Sequence, residues 1–423
     1  MNIELLYAFR TLHKVNKIAP QQHLQTEYLN RSYRKILIKN LGNNFFAKYF
    51  YFFEMLRIFL FLLLRQKCKG KNPDVLYFAA TFNQDRQLDY MRDIFCDRNF
   101  TTINLRGSNP LRPIANIKQI FIFFCCFAGA FRYYKAFFDK HSFIDFKNHI
   151  LFLCMYSYSK FLFKKLKPKA ILVANDHSAL PLGFASAARS LGIKTMYIQH
   201  AHITYDLPYL RFDLAILDGE CALDIYKDQG SIGNTKIIYR GLEGREREMN
   251  TKPLQQNKQL SVGLFVNIFE AQDLYKVLED LLSNSFVNNV ILREHPAFPL
   301  DIKQSDLPKN VSLAAHETSL WDDALKCDLV VGGNSSFHLS VLKFGVPTVF
   351  YNDLDYIKYD DYSFIKHDIV YEVENLKSLD LRHVAKYYDD QQWIKRFQYF
   401  DAGYKLGDNV LKNSVRKVIK TIY

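Results

Sequence analysis

The chain has 423 residues, of which 49% are apolar and 23% are charged, and its formal net charge is +13. This composition excludes a disordered chain, and the length exceeds one ordinary hydrophobic core, so two domains are expected. The seven cysteines form no CxxC pair, which argues against a disulfide scaffold and indicates reduced, buried thiols in the cytoplasm.

The first 170 residues are strongly basic, with 28 Lys and Arg against 10 Asp and Glu. Residues 1–70 and 114–167 have helical patterns in which basic residues alternate with Phe, Tyr and Leu. The apolar runs at 58–64 and 119–131 are shorter than the roughly 20 residues that cross a bilayer, and no signal peptide is expected. These helices are therefore either buried in the core or attached to a membrane surface. No zinc finger or basic zipper is visible, which disfavours nucleic acid as a partner.

Short apolar runs alternate with helical segments between residues 75 and 239, which predicts a parallel sheet with helices on both faces. The predicted strands cover 75–80, 101–105, 170–174, 195–199, 214–217 and 236–239. A helix is expected from the polar group at 175–178 to residue 191. The charged residues 244–249 (GREREM) are interpreted as a solvated turn.

Residues 249–259 lack apolar periodicity and are interpreted as a linker between an N-terminal domain (1–248) and a C-terminal domain (260–423). In the C-terminal domain, predicted strands again alternate with predicted helices. These strands cover 261–266, 289–292, 311–314, 329–331 and 348–351. The polar tail over 382–422 is expected to be helical and to cross back to the first domain. Two Rossmann-like domains in series imply a ligand in the cleft between them, at the carboxyl ends of the strands.

The tetrapeptide Arg293, Glu294, His295 and Pro296 directly follows one of these predicted strands. His295 can donate a hydrogen bond to a phosphate or act as a general acid on it, and Arg293 adds fixed positive charge. Pro296 ends the strand and fixes the backbone after the histidine. A histidine that only caps local carbonyls is the alternative interpretation.

Further along the chain, residues 332–337 (GGNSSF) join a predicted strand to a predicted helix. Small residues such as Gly333 let the backbone approach a ligand closely. Asn334, Ser335 and Ser336 precede the helix, where hydroxyl groups and backbone N–H groups favour an anion. An ordinary helix cap needs only one serine, so this composition favours phosphate binding.

The motifs follow one another in a fixed order: an HP pair, then SS, then a helix and GVPTVFY (345–351). In this order they resemble the motifs of the second domain of GT-B glycosyltransferases of bacterial capsule and lipopolysaccharide synthesis. Bacterial sialyl- and polysialyltransferases, Kdo transferases and teichoic-acid glycerophosphotransferases have similar motifs, which hold the phosphate and ribose of a cytidine nucleotide. The resemblance implies an α/β GT-B fold with extra N-terminal helices, in which His295, Ser335 and Ser336 bind the donor phosphate. HETSLWDDAL (316–325) is similar to a helix of these families, so His316 and Glu317 are implied near the nucleotide.

The first domain resembles the same transferases in NDH (175–177), in the AAR of the following helix and in YIQH (197–200), with Ala201 where glycine is usual. Glycosyl transfer needs a base that deprotonates the acceptor hydroxyl. Asp176 is the preferred base and His200 a second catalytic candidate. The string at 218–220 (DGE) differs in order from the acidic motif of sialyltransferases.

Three further residues, His177, His202 and Asp206, are expected on the acceptor side of the cleft. A metal site at His200 and His202 would lack a third ligand at a sensible spacing, so no metal is expected. No cofactor is expected either, because the nucleotide-sugar is a substrate.

The resulting hypothesis is a glycosyltransferase that moves a nonulosonate or Kdo from a CMP-activated donor to a polysaccharide or lipid-linked acceptor. It would act in the cytoplasm, bound peripherally to the inner face of the cell membrane. A UDP-sugar or CDP-glycerol donor on the same fold remains open, and so does a non-catalytic scaffold of capsule assembly. A UDP-sugar 2-epimerase of the same fold would need acidic and histidine residues that the sequence does not supply.

Overall fold

The computed structural model describes residues 72–79, 82–95, 100–104, 143–203, 210–230, 232–244, 246–255, 258–267, 271–295, 300, 302–315, 317–354, 360, 362–406 and 408–419. These residues form two six-stranded, fully parallel sheets with helices on their faces. The prediction of two Rossmann-like units is therefore confirmed, while the boundaries 1–248 and 260–423 stay predictions. The expected helices in 1–70 and in 114–142 lie outside the described residues.

The first sheet has the strand order β2-β1-β3-β4-β5-β6. Its elements are β1 (Val75–Ala79), α1 (Phe82–Ile94), β2 (Phe100–Asn104), α2 (Phe143–Leu166), β3 (Ala170–Val173), α3 (Ala179–Ser190), β4 (Lys194–Ile198), β5 (Leu214–Leu217), α4 (Glu220–Gln229) and β6 (Lys236–Tyr239). The four residues of β3 and of β5 are all buried. Continuous apolar strands of this kind belong to a sheet that helices cover on both faces.

The second sheet has the order β12-β11-β10-β7-β8-β9, so successive strands are added on one side of β7 up to β9 and on its other side from β10 onward, which places the topological switch point between β7 and β10. Its elements are β7 (Leu260–Phe265), α5 (Ala271–Leu282), β8 (Val287–Arg293), β9 (Val311–Leu313), α6 (Leu320–Ala324), β10 (Leu329–Gly332), α7 (Phe337–Lys343), β11 (Thr348–Tyr351) and β12 (Tyr371–Val373). In doubly wound sheets, ligands bind in the crevice that opens at such a switch point. The carboxyl ends of β7, β8 and β10 are therefore the place where this sheet is expected to hold a ligand.

The C-terminal tail consists of three helices, α8 (Leu381–Asp389), α9 (Gln391–Phe400) and α10 (Asp408–Ile419). Val415 and Ile419 of α10 are buried in the same cluster as residues of β1, β3, β4 and β5. The chain thus returns to the first sheet, as expected. The tail is helical, as expected, and is divided into separate helices because the Asp390 side chain caps α9 and the Phe400 end of α9 is followed by a buried turn at Asp401.

The helix α3 begins at Ala179, directly after the polar group at 175–178, as expected. The Asn175 side chain accepts hydrogen bonds from the backbone N–H groups of His177 and Ser178 (3.1 and 2.7 Å) and so forms a turn before the helix. In the segment 244–249, Arg247 and Glu248 are exposed. Gly241 is buried with a φ of +75°, and a side chain there would meet Asp401 and Gly403.

Among the described helices, none combines the length and apolar character that crossing a bilayer requires. The longest of them, α2, has 24 residues and ends in a lysine-rich turn.

Candidate functional site

A cavity of about 510 Å³ lies between the two sheets, at the carboxyl ends of their strands. Its first-sheet wall comes from the ends of β4, β5 and β6 and from α1. Its second-sheet wall comes from the ends of β7 and β8, from the start of α6 and from the loop that leads into α7. The residues that the argument uses are Gln87, His200, Asp218, Arg240, Glu243, His295, Ser335 and Ser336.

The motif after β8 contributes Arg293, Glu294 and His295 to this cavity. The Arg293 guanidinium is held by the buried carboxylate of Asp323 and donates to the Thr318 carbonyl at 3.0 Å. Burial and then the neighbouring Arg293 charge lower the pKa of His295. A neutral imidazole keeps one N–H donor, so His295 can donate to a ligand without carrying charge.

The loop after β10 contributes Ser335 and Ser336 to the lining of the cavity, on the same wall as His295. His338, the second residue of α7, is fully buried, and its Nε2 lies 2.9 Å from the Gly333 carbonyl. Burial lowers the pKa of His338 to about 4, so a neutral ring whose Nε2–H donates to Gly333 holds the loop in place. Sequence reasoning missed this residue, because a histidine inside a short helix gives no signal of a contact to the preceding loop.

On the opposite wall, His200 follows β4 and lines the cavity. Burial lowers the pKa of His200 to about 4, although the nearby Asp176 charge opposes this shift. Its Nδ1 is buried and has no hydrogen-bond partner among the described residues. His200 is therefore neutral at physiological pH, and its weak basicity makes it a poor acceptor of protons.

His202 also lines the cavity, but it contacts the other half of the chain. Its ring lies 5.5 Å from the rings of Tyr362 and Phe364 and 5.6 Å from that of Phe400, between ring centroids. Burial lowers its pKa to about 4. The imidazole ring therefore makes aromatic contacts that join the two halves of the protein.

Asp176 is placed behind the cavity wall and is not among the lining residues. Its carboxylate accepts from the Tyr226 hydroxyl at 2.6 Å and lies 3.0 Å from Nδ1 of His177. Burial alone would raise the pKa of Asp176, but the hydrogen bonds from His177 and Tyr226 outweigh it and hold the pKa below its usual value. A buried carboxylate with these two contacts is suited to orienting the side chains of Tyr226 and His177.

A buried polar network on the first wall was missed by the sequence reasoning. Arg240, just after β6, forms an ion pair with Asp218 (Nε to Oδ1, 2.9 Å) and donates to the Gln199 carbonyl at 2.8 Å. It also donates to the Gln87 side chain, whose amide nitrogen donates to Glu243 at 3.2 Å. Burial raises the pKa of Asp218 to about 6, against the effect of Arg240.

The remaining sequence-predicted residues fall into two groups. Gly333 and Asn334 belong to the loop between β10 and α7, but they are buried and do not line the cavity. Glu317 is exposed and does not line the cavity either. Pro296, His316 and Asp206 lie outside the described residues. The described residues contain no group of three or more His, Cys, Asp and Glu side chains that could hold a metal ion.

No protein-family model and no curated protein sequence matches the chain. Among solved structures, the glycotransferase of kitacinnamycin is 10% identical, with a TM-score of 0.47 over 84% of this chain and 100% of that chain. The wall teichoic acid polymerase TagF is 12% identical, with a TM-score of 0.46 over 89% of this chain and 99% of that chain. The UDP-GlcNAc 2-epimerase from Neisseria meningitidis is 10% identical, with a TM-score of 0.43 over 82% of this chain and 98% of that chain. The chain is thus similar to transferases and to an epimerase, and likenesses this low assign neither activity to it.

Proposed function

We propose that this protein is a metal-independent glycosyltransferase that uses a nucleotide-activated sugar, with a CMP-activated nonulosonate or Kdo as the donor class. The proposal depends on one observation: His295, Ser335 and Ser336 line the same wall of the cavity between the sheets. These side chains come from two loops at the switch point of the second sheet, where an anionic ligand is expected. The preference for a cytidine nucleotide is supported by the HP and SS motifs alone.

In the proposed reaction, an acceptor hydroxyl attacks the anomeric carbon of the donor and the bond from that carbon to the phosphate oxygen breaks. The nucleotide phosphate leaves with the bonding electron pair. The N–H of the His295 imidazole and the hydroxyls of Ser335 and Ser336 donate hydrogen bonds to the phosphate oxygens as charge develops on them. The acceptor gives up its proton to a base on the first-sheet wall.

The polysaccharide or lipid-linked acceptor would enter from the first-sheet side, and the protein would work at the inner face of the cell membrane. The end of α2 supports this location. Phe161 is 56% exposed, and the exposed Lys164 and Lys165 follow it three and four residues later, on the same side of the helix. An exposed aromatic ring among lysines suits an anionic lipid surface.

A nucleotide panel tests the proposal. CMP, CDP, UMP and UDP are added separately to the full chain, and the melting temperature is measured without metal and with Mg²⁺. A ligand at 100 times its Kd stabilises the folded state by about 2.7 kcal/mol, so CMP is expected to give the largest shift. Equal shifts would remove the cytidine preference. No shift with any of the four would contradict a nucleotide-dependent transferase and favour the scaffold hypothesis.

A further inference from the structure

The second-sheet wall of the cavity is built from separate pieces of chain, and one of them is very short. The motif after β8 supplies His295, and the loop before α7 supplies Ser335 and Ser336. The start of α6 supplies Leu320 and Trp321. This helix has only five residues, whereas isolated helices shorter than about 12 residues are marginal in water. Contacts with neighbouring elements must therefore fix α6 in the wall.

A buried cluster joins α6 to the end of β8. The Asp323 carboxylate of α6 is 1% exposed and pairs with the guanidinium of Arg293, which is 13% exposed. Arg293 also donates to the Thr318 carbonyl at 3.0 Å. The Thr318 hydroxyl lies 2.7 Å from the Asp323 carboxylate and 2.7 Å from the Ala315 carbonyl. Arg293 lines the cavity, whereas Asp323 and Thr318 do not.

The other contact of α6 is with the end of α7. The Trp321 ring stacks on the ring of Phe344, with 4.7 Å between the ring centroids and 25° between the planes. Phe344 directly follows α7, the helix that begins after the two serines. The short helix therefore connects the two elements that carry the candidate phosphate contacts, and its position affects both.

We propose that Asp323 is a positioning residue for the nucleotide phosphate, because it holds Arg293 and thereby keeps α6 against the end of β8. This inference rests on the proposed function. In this arrangement Arg293 is a bridge between β8 and α6 and makes no direct contact with the phosphate.

The two roles of Arg293 predict opposite effects when Asp323 is removed. An arginine that binds the phosphate directly would be released towards the ligand, and the loss of a negative charge beside the cavity would itself favour an anion. A bridging Arg293 would instead lose its anchor, and the wall around the phosphate would lose its fixed geometry. Weaker binding is therefore the result that only the bridge predicts.

The first test measures the Kd for CMP by calorimetry in the full chain. Asp323→Ala is expected to bind CMP about 10-fold or more weakly, which is the size of one hydrogen bond to a charged group. Thr318→Val removes only a hydroxyl from the same cluster and is expected to weaken binding in the same direction, also if Asp323→Ala does not fold. The control is Lys326→Met, because Lys326 is 55% exposed and contacts Asp323 at 3.0 Å. It is expected to bind CMP as the wild type does.

Tryptophan fluorescence reports the position of α6 without a ligand. The chain has two tryptophans, so Trp393→Phe leaves Trp321 as the single reporter. In this background, Asp323→Ala and Thr318→Val are expected to shift the emission to the red and to increase quenching by acrylamide, while Lys326→Met leaves both unchanged. A general loss of stability would not shift the emission of a chain that is still folded.

The outcomes separate this inference from the proposed function. Equal or tighter CMP binding in Asp323→Ala and Thr318→Val overturns the inference and leaves the transferase proposal standing. Trp321 emission that stays as in the wild type also overturns it. A wild-type chain that does not bind CMP removes both proposals.

Discussion

The ammonium group of Lys343 lies 3.0 Å from the Asp401 carboxylate, and their side chains are only 3% and 0% exposed. The same ammonium donates to the Leu242 carbonyl at 2.6 Å, while the other Asp401 oxygen accepts from the backbone N–H groups of Leu242 and Gly403, both at 2.9 Å. This buried pair therefore joins the end of α7, the segment after β6 and the turn after α9. It fixes the second-sheet half of the cavity against the first-sheet half.

Breaking this pair from one side is expected to be costly. Lys343→Met leaves the Asp401 charge buried without its partner, and such a change costs about 3–5 kcal/mol. The free energy of unfolding from urea denaturation checks this value. Adding Asp401→Asn, which keeps an oxygen for the two backbone donors, is expected to recover part of the loss. A single variant as stable as the wild type would show that the pair does not hold the two halves together.

Gly241 is expected to tolerate no side chain, because two separate effects oppose it. Its φ of +75° is costly for any residue with a Cβ, and a Cβ there would lie 2.5 Å from Oδ1 of Asp401. The conformational effect alone is about 1 kcal/mol, and the steric effect adds about 1–3 kcal/mol. Gly233→Ala is the matched control, since Gly233 has a φ of +55° and open space around it. Unfolding free energies are measured for both variants, and equal losses would contradict the close contact with Asp401.

The strands could be predicted from the sequence where the local pattern of apolar and polar residues agrees with the final fold. Eleven of the twelve strands were expected within a few residues, because each is a short apolar run between polar turns. The strand β12 was missed. Its three residues include the exposed Glu372 and only one buried residue, Val373, so it has no continuous apolar run. Its pairing with β11 decides its conformation.

The candidate site was predicted in part for a similar reason. His295, Ser335 and Ser336 lie directly after strands, so their place in a parallel sheet follows from chain order alone. The partners Asp218 and Arg240 meet only because β5 and β6 are neighbours in the finished sheet. Nothing in the sequence around either residue indicates the other, and the same is true of the aromatic contacts of His202.

Acid is expected to destabilise the protein between about pH 6.5 and pH 4. The pKa values of His200, His202 and His338 are each lowered to about 4 from 6.5. The folded state therefore favours neutral rings, and this stability is present above pH 6.5 and is lost as the pH falls towards 4. Asp218, whose pKa is raised to about 6, acts in the opposite direction and offsets only part of the loss.

The melting temperature measured from pH 7.5 to pH 4.5 checks this expectation. In His338→Phe, which cannot titrate, the melting temperature at pH 7.5 is expected to be lower because the bond to Gly333 is lost, and its fall with acid is expected to be shallower than in the wild type. A variant curve parallel to the wild-type curve would show that His338 does not contribute to the acid sensitivity.

His295→Ala is expected to abolish most of the stabilisation by CMP while leaving the fold intact. A hydrogen bond to a charged group contributes about 1.5–3 kcal/mol, which corresponds to roughly a 10- to 100-fold weaker Kd. The control is His383→Ala, because His383 is an exposed histidine on α8 and lies outside the cavity. Kd values for CMP are measured by calorimetry on both variants. The same Kd in His295→Ala and in the wild type would place the phosphate elsewhere.

Reversing the charge at the end of α2 is expected to release the protein from anionic membranes. Lys164, Lys165 and Lys167 are exposed beside Phe161, and each basic residue near a charged bilayer contributes about 1 kcal/mol to binding. The triple change of these lysines to Glu is compared with the same change at Lys258, Lys303 and Lys309, which are also exposed but lie in the second half of the chain. Both variants carry the same net charge, so sedimentation with phosphatidylglycerol vesicles separates a local anchor from a general charge effect. The α2 variant is expected to stay in the supernatant while the control sediments as the wild type does, and equal sedimentation of the two would mean that this surface is not the anchor.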